Sequence, residues 1–171
     1  MLDKFRHANN LKGKEFNELF IGRSDILREG LNGDDTVVLV DDFVGTGTQA
    51  CDYWNELYGE ILANVGRVYL VVVAACAAAI QRVADETDIE VVPHHHLTSQ
   101  DDLFSNTCTV ITQGEKDTVL RYCTLADPKQ PKGFGECGLL VVFAHGCPNN
   151  SIPILHASRS AHWEGLFRRY D

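Results

Sequence analysis

The stretch of sequence that decides the fold is Val37-Val38-Leu39-Val40-Asp41-Asp42-Phe43-Val44-Gly45-Thr46-Gly47-Thr48. Its four leading apolar residues are typical of a strand buried in a parallel sheet. The residues from about Thr48 to Asn64 repeat apolar side chains at helical spacing, which predicts an amphipathic helix. Two carboxylates therefore lie at the carboxyl end of a strand, and a turn of small residues leads from them into a helix. Open α/β sheets bind their ligands at such strand ends.

The residue types at this strand end suit a sugar phosphate. The backbone amides and the dipole of a helix N-terminus favour a bound phosphate. The carboxylates of Asp41 and Asp42 can accept hydrogen bonds from two adjacent hydroxyl groups. Because the turn from Val44 to Thr48 would hold a phosphate beside that diol, the pattern predicts a site for ribose 5-phosphate.

Three other motifs match this stretch less well. A nucleoside-triphosphatase loop requires a lysine after its second glycine, and none follows Gly47. A dinucleotide-binding fingerprint places its glycines straight after the strand, whereas two acids intervene here. A receiver-type acidic pocket does not need the glycine–threonine turn. The purely structural alternative is a strand whose acids face solvent and whose Thr46 or Thr48 caps the following helix.

The stretch from Val37 to Gln49 resembles the signature of type I phosphoribosyltransferases, in which four apolar residues, two acids and two mostly apolar residues precede a short Thr/Gly turn. The resemblance implies an enzyme of glycosyl transfer that binds phosphoribosyl pyrophosphate with Mg²⁺ as cofactor. It also implies that Asp41 and Asp42 hold the ribose hydroxyls at the catalytic centre and hold Mg²⁺ indirectly or through the ligand. The phosphoribosyl-binding residues would be Asp41, Asp42, Phe43, Val44, Gly45, Thr46, Gly47 and Thr48.

A second resemblance lies in the C-terminal part of the chain. The motifs that carry it are Gly133-Phe134-Gly135, Leu139-Leu140-Val141-Val142-Phe143, Pro148-Asn149-Asn150-Ser151-Ile152-Pro153-Ile154-Leu155, Trp163 and Leu166-Phe167-Arg168. Together they are similar to the phosphoribosyltransferase-like branch of predicted bacterial conflict and defence systems. The resemblance implies nucleotide-related chemistry and a partner protein of a defence system, with a homo-oligomer as the alternative.

Three residues of these motifs are candidates for contacting the acceptor substrate: Phe134, Asn149 and Asn150. The ring of Phe134 could stack on a base, and the alternative for it is an ordinary surface loop. Asn149 and Asn150 could bind the acceptor or could simply form a turn, because asparagine side chains bond their own backbone there.

Phosphoribosyl transfer also requires cations for the pyrophosphate leaving group, and the sequence does not show where they are. The segment 1–35 contains no apolar strand that ends in a glycine-rich turn. We therefore expect either an N-terminally truncated chain or another chain that supplies those groups. The upstream cations, which we expect on solvated helix faces, are Lys12, Lys14, Arg23 and Arg28. This gap leaves two alternatives open: a non-catalytic module that senses a nucleotide or phosphoribosyl compound, and a fragment with a vestigial cleft.

Strand and helix patterns recur along the chain at the spacing of a doubly wound α/β protein. Further strands are predicted over 67–75, 89–92 and 138–144, and further helices over 77–86 and 117–125. These elements predict one domain over 1–171, with a helical lead-in over 1–35 and a sheet core with a C-terminal tail over 36–171. The predicted fold class is a mostly parallel, doubly wound, Rossmann-like sheet in three layers, as in type I phosphoribosyltransferases.

Composition limits the domain organisation, the ligand class and the cellular location that we predict. A chain of 171 residues with 44% hydrophobic residues can form one domain with a sizeable core. Its net charge of −9 argues against a broad nucleic-acid surface. We see no signal peptide, no apolar run long enough for a membrane and no Cys-x-x-Cys pair, so we predict a cytoplasmic protein with reduced thiols. His94, His95 and His96 follow the third predicted strand and offer a metal site, an acceptor contact or a polar loop.

Overall fold

The computed structural model describes residues 2–22, 26, 30–158 and 163–167. The upstream cations Arg23 and Arg28 and the motif residue Arg168 lie outside these ranges. The chain divides into two compact units, Met1–His96 and Leu97–Asp171. The single domain predicted over 1–171 stays a prediction.

The first unit is built around a three-stranded parallel sheet. It begins with a short helix, α1, and a 3-10 turn, and the helical lead-in over 1–35 stays a prediction. The strands lie in the order β1-β2-β3, and a helical segment follows each of the first two. The elements of this unit are α1 (Leu2–Ala8), the 3-10 turn (Lys14–Leu19), β1 (Thr36–Val44), α2 (Thr48–Tyr53), a π-helical turn (Trp54–Tyr58), α3 (Gly59–Leu62), β2 (Arg67–Cys76), α4 (Ala77–Glu86) and β3 (Ile89–Leu97).

Strands β1 and β2 pair in parallel with one constant register, from Thr36 opposite Arg67 to Val44 opposite Ala75. Because side chains alternate along a strand, one face of the sheet carries every second residue. That face packs against the helices in a core that contains Val37, Val68, Leu70, Val72, Ile89, Val91, Trp54, Tyr58, Leu62, Ala79 and Val83. The helices between the strands therefore cover the face that these alternate positions form.

The opposite face of the same sheet remains open in the first unit. Val38, Val73 and Val92 are 52%, 43% and 40% exposed. The physical reason is the strand order: two successive right-handed crossovers in one direction place both connecting helices on one side of the sheet. The α/β character is confirmed, whereas the doubly wound arrangement, with helices on both faces, stays a prediction.

The second unit contains one long helix, α5 (Gln113–Ala126), and mostly irregular chain. Thr112 and Glu115 begin α5 with a reciprocal capping box, in which each side chain bonds the other residue's backbone N–H. Two 3-10 turns follow, Phe134–Glu136 and Pro153–Leu155. A separate core packs around them and consists of Leu103, Cys108, Cys123, Cys147, Ile152 and Leu155.

The strand predicted over 138–144 is wrong. The structure has only two isolated bridges there, Leu139 with Ser151 and Phe143 with Gly146. Gly138 has a left-handed backbone at φ 61°, and the chain turns back between Phe143 and Gly146. An apolar run interrupted in this way cannot align with a neighbouring strand for long. No helix in the described part of the chain has the length and apolar character needed to cross a membrane.

Candidate functional site

The acidic pair lies in the carboxyl-terminal part of β1 itself. The sequence predicted a strand that ends before the acids, but pairing with β2 places Asp41 opposite Val72 and continues to Val44. The backbone N–H of Asp42 donates a hydrogen bond to Oδ1 of Asp41 at 2.9 Å. This bond turns the Asp41 carboxylate along the strand, so the two acids interact although consecutive strand residues start on opposite faces.

The electrostatics of the pair favour a ligand that donates hydrogen bonds. Desolvation is the largest influence on Asp41 and raises the pKa of that carboxyl, although part of the side chain remains exposed. The backbone N–H of Asp42 counteracts this, and the neighbouring Asp42 carboxylate raises the pKa of Asp41 further. Hydroxyl donors placed between the carboxylates would relieve their repulsion.

The turn after the acids packs closely against α4. Gly47 precedes α2 with a left-handed backbone at φ 75°. A Cβ at this position would lie 3.1 Å from Cγ2 of Val83 and 3.2 Å from the carbonyl oxygen of Ala79. Glycine is therefore needed here both for the backbone conformation and for the close approach of the helix. The carbonyl oxygen of Gly47 accepts the backbone N–H of Cys51 at 3.0 Å, which begins the helix.

Two threonine hydroxyls and one arginine form a network on this turn. Oγ1 of Thr46 lies 3.0 Å from Oγ1 of Thr48. Nη1 of Arg82, on α4, donates to Oγ1 of Thr48 at 2.8 Å and to the carbonyl oxygen of Thr46 at 3.3 Å. Nε of the same guanidinium pairs with Oε1 of Glu86 at 2.8 Å. The turn thus carries a cation beside its small residues, as an anion site requires.

Sequence reasoning missed Arg82. It lies 34 residues from Thr48 along the chain and reaches the turn only because α4 packs beside α2. The one signal in the sequence is a polar stripe on α4, in which Arg82 and Glu86 are spaced four residues apart. That spacing predicts an ion pair on a helix surface, which is present, but it does not predict which turn the arginine contacts.

The residues fit Mg²⁺ only with help from a ligand. The described residues contain no group of three or more His, Cys, Asp or Glu side chains that could hold a metal ion. Asp41 and Asp42 offer carboxylate oxygens, which Mg²⁺ prefers. Sites for Mg²⁺ commonly combine one or two carboxylates with substrate phosphates and water. Asp41 and Asp42 would therefore supply only part of such a site, and phosphate and water oxygens would have to complete it.

The three consecutive histidines belong to a strand and not to a polar loop. Strand β3 continues through Pro93 to Leu97, so the predicted strand end at Val92 is wrong. All three histidines are exposed, and the ring centroids of His94 and His95 lie 4.4 Å apart. They form part of no metal-binding group among the described residues.

The acceptor-side candidates Phe134, Asn149 and Asn150 lie together in the second unit. The backbone N–H of Phe134 donates to the carbonyl oxygen of Asn149 at 2.7 Å. Nδ2 of the buried Asn150 donates to the carbonyl oxygen of Phe134 at 3.0 Å and to Sγ of Cys137 at 3.4 Å. The Asn150 side chain therefore holds the glycine-rich loop in place, and the ring of Phe134 stays accessible. Contact of these residues with an acceptor remains a prediction.

Asn150→Ala is expected to destabilise the protein by about 0.5–1.5 kcal/mol, because the partly buried carbonyl of Phe134 loses the hydrogen bond from the Asn150 amide. Urea denaturation would measure the change in the free energy of unfolding. Asn149→Ala is the matched control, since Asn149 serves this loop through its backbone carbonyl, which alanine keeps. Equal destabilisation by both substitutions would contradict the structural role of the Asn150 amide.

The first unit is thus an α/β unit whose first strand ends in an acid pair, a left-handed glycine turn and a helix, with an arginine on the turn. The sequence profile of the PRTase-CE family, a phosphoribosyltransferase-like family, matches residues 1–169. The chain belongs to the PRTase-CE family. A search of curated proteins found no match.

Proposed function

We propose that this chain binds the ribose 5-phosphate portion of phosphoribosyl pyrophosphate, or of a related compound, and transfers it as a Mg²⁺-dependent phosphoribosyltransferase. The observation that carries the proposal is the uninterrupted succession of an acid pair, a left-handed glycine turn and a helix N-terminus between Asp41 and Thr48. Membership of a phosphoribosyltransferase-like family supports the choice of ligand. The proposal includes the doubly wound, three-layer sheet of that class.

Each part of the ligand has a counterpart in the site. The two ribose hydroxyls would donate to Asp41 and Asp42, whose mutual repulsion they would reduce. The 5-phosphate would lie on the turn from Val44 to Thr48, where backbone amides and the helix dipole favour an anion. Holding the sugar at both ends would fix the direction from which an acceptor approaches C1.

The reaction would break the bond between ribose C1 and the pyrophosphate oxygen and form a bond from C1 to the acceptor. The departing pyrophosphate takes the electron pair of the broken bond, and the acceptor supplies the pair for the new one. Positive charge develops on the ribose ring meanwhile, and the carboxylates of Asp41 and Asp42 would stabilise it. Mg²⁺, when bound, would neutralise charge on the leaving pyrophosphate.

Release of pyrophosphate is the direct test of this proposal. The full chain is incubated with phosphoribosyl pyrophosphate, Mg²⁺ and a panel of purine and pyrimidine bases, and pyrophosphate is measured by a coupled assay. We expect release that depends on the acceptor, stops when EDTA removes Mg²⁺ and is lost in Asp42→Asn. Neither turnover nor calorimetric binding of phosphoribosyl pyrophosphate, in a preparation that is folded by circular dichroism, would eliminate the proposal.

A second function, binding without turnover, is favoured by the distribution of cations. Within the described part of the chain, Arg82 is the only Lys or Arg that hydrogen-bonds the turn 44–48, and it suits one phosphate group better than a phosphate and a pyrophosphate. The chain would then sense a nucleotide or phosphoribosyl compound as a regulatory module. Binding of a nucleoside monophosphate that Asp42→Asn weakens, with no product formed, would distinguish this function from catalysis.

The proposed setting is a cytoplasmic defence system in which another chain supplies pyrophosphate contacts beyond those that the described residues offer. That chain is either a partner protein or a second copy of this one. Size-exclusion chromatography with light scattering would identify a homo-oligomer. A monomer that releases pyrophosphate by itself would remove the need for any partner.

A further inference from the structure

The guanidinium of Arg82 has N–H donors that no described residue accepts. Arginine carries five N–H donors and no acceptor, and it remains charged at any pH a protein experiences. Nε bonds Glu86, and Nη1 bonds the Thr46 carbonyl and the Thr48 hydroxyl. Nη2 has no hydrogen-bond partner among the residues that the structure describes. The side chain of Arg82 is also 40% exposed, so an incoming ligand can reach it.

The two threonine hydroxyls leave one further donor. Thr46 and Thr48 together have two hydroxyl hydrogens, and one of them lies in the bond between the two oxygens. Arg82 can only donate, so it uses a lone pair of Thr48 and no hydrogen. Whichever hydroxyl donates to the other, one O–H remains for an outside acceptor. Within the described residues this edge of the turn therefore presents surplus donors and a cation, which is the character of an anion site.

We propose that Arg82 determines the specificity of the turn 44–48 for a dianionic phosphate monoester, such as a sugar or nucleoside 5-phosphate, over an uncharged sugar. This inference rests on the proposed function, because it assigns a residue to the same phosphate position. Arg82 orients the threonine hydroxyls through Thr48 and offers Nη2 to a phosphate oxygen. Charge-assisted bonds of this kind are about twice as strong as neutral ones.

Glu86 moderates the charge of this arginine. Its carboxylate holds Nε at 2.8 Å, and both side chains are partly exposed. Glu86→Gln keeps an oxygen that accepts the Nε hydrogen and removes the negative charge. Phosphate should then bind more tightly than in the wild type. Loss of charge at Arg82 and loss of charge at Glu86 thus have opposite expected effects.

The experiment is isothermal titration of the full chain with ribose 5-phosphate at two pH values, about 5 and about 7, on either side of the second phosphate pKa near 6. In the wild type, affinity should rise with pH because the monoanion becomes a dianion. Arg82→Gln should weaken binding at pH 7 by about tenfold or more and flatten the pH dependence. Arg82→Lys keeps the positive charge but loses the planar set of N–H donors. We expect its affinity to lie between those of the wild type and Arg82→Gln.

A matched control separates local from general electrostatics. Arg121→Gln makes the same change of net charge on the exposed side of α5, and it should bind ribose 5-phosphate as the wild type does. Each variant is checked for folding by thermal denaturation. If Arg82→Gln fails to fold, Arg82→Lys and Glu86→Gln together still test the proposal, since one should lose affinity and the other should gain it.

The outcomes distinguish this inference from the proposed function. If the wild type binds and Asp42→Asn binds more weakly, but Arg82→Gln binds as the wild type does with the same pH dependence, the role of Arg82 is overturned and the proposed function stands. If the wild type binds no ribose 5-phosphate, both are overturned. An equal loss of affinity in Arg82→Gln and Arg121→Gln would also refute the specific role.

Discussion

Replacing both acids, Asp41→Asn together with Asp42→Asn, should weaken binding of ribose 5-phosphate by about 100-fold or more. Each carboxylate is expected to accept one ribose hydroxyl, and a hydrogen bond to a charged group contributes about 1.5–3 kcal/mol. Isothermal titration calorimetry would measure the loss, with pyrophosphate release as a second readout. The single variants should each lose about tenfold or more.

Asp41→Asn should increase the stability of the fold, although it weakens ligand binding. The pKa of Asp41 is raised in the folded protein, so the folded state binds this proton more tightly than the unfolded chain does. The ionised form therefore destabilises the fold, and this effect grows as pH rises through the pKa of the unfolded and then of the folded state. Asn at position 41 keeps an oxygen for the Asp42 N–H and removes the charge. We thus expect Asp41→Asn to raise the free energy of unfolding at pH 7.

Asp34→Asn is the control for charge alone. Asp34 lies exposed just before β1, at the end of that strand opposite the acid pair, and its loss changes net charge by one unit, as each single variant does. It should leave ligand binding unchanged. Wild-type affinity in the double variant, or a similar loss in Asp34→Asn, would show that the acid pair does not hold the ribose.

Gly47→Ala is expected to cost about 2–4 kcal/mol of stability and to abolish phosphate binding at the turn. A left-handed backbone costs an ordinary residue about 1–2 kcal/mol. The added methyl would also meet Cγ2 of Val83 at 3.1 Å and the Ala79 carbonyl at 3.2 Å, so α4 or the turn must shift. A shifted turn no longer aligns Thr46 and Thr48 with Arg82. Urea denaturation and titration with ribose 5-phosphate would measure the two effects.

A second glycine, Gly114, serves as a control because its backbone conformation and its surroundings differ from those of Gly47. Gly114 lies in the first turn of α5, has no positive φ and would place a Cβ with no neighbouring atom within 4 Å. Gly114→Ala should be neutral or stabilise the protein by up to about 1 kcal/mol, since alanine favours helix. If Gly47→Ala behaved like Gly114→Ala, the close contact between the turn and α4 would be refuted.

The parts of the fold that could be predicted from the sequence are those with a strong local pattern. The apolar runs that begin at Val37 and Arg67 predicted β1 and β2, and helical spacing predicted α4 over 77–86, where the structure has it. The same kind of pattern failed over 138–144, where apolar residues lie in an irregular segment. A run of apolar side chains indicates burial, and only a neighbouring strand in register makes it a strand.

Strand ends were harder to predict for a related reason. The sequence predicted that β1 ends before the acids that follow Val40 and that β3 ends before the histidines that follow Pro93, because polar residues usually mark loops. Pairing with β2 continues past both acids, and β3 runs on to Leu97. Backbone hydrogen bonds do not depend on side-chain polarity, so a strand extends as far as its neighbour does.

By itself the sequence determined an acid pair followed by a glycine turn between a strand and a helix, because these features depend on neighbouring residues and on local conformational preference. Only the tertiary structure decided that Arg82 donates to that turn, that Gly47 must leave room for α4, and that α2, α3 and α4 lie on one face of the sheet. These facts depend on strand order and on the crossover between strands, which join residues far apart in the chain and leave no local pattern.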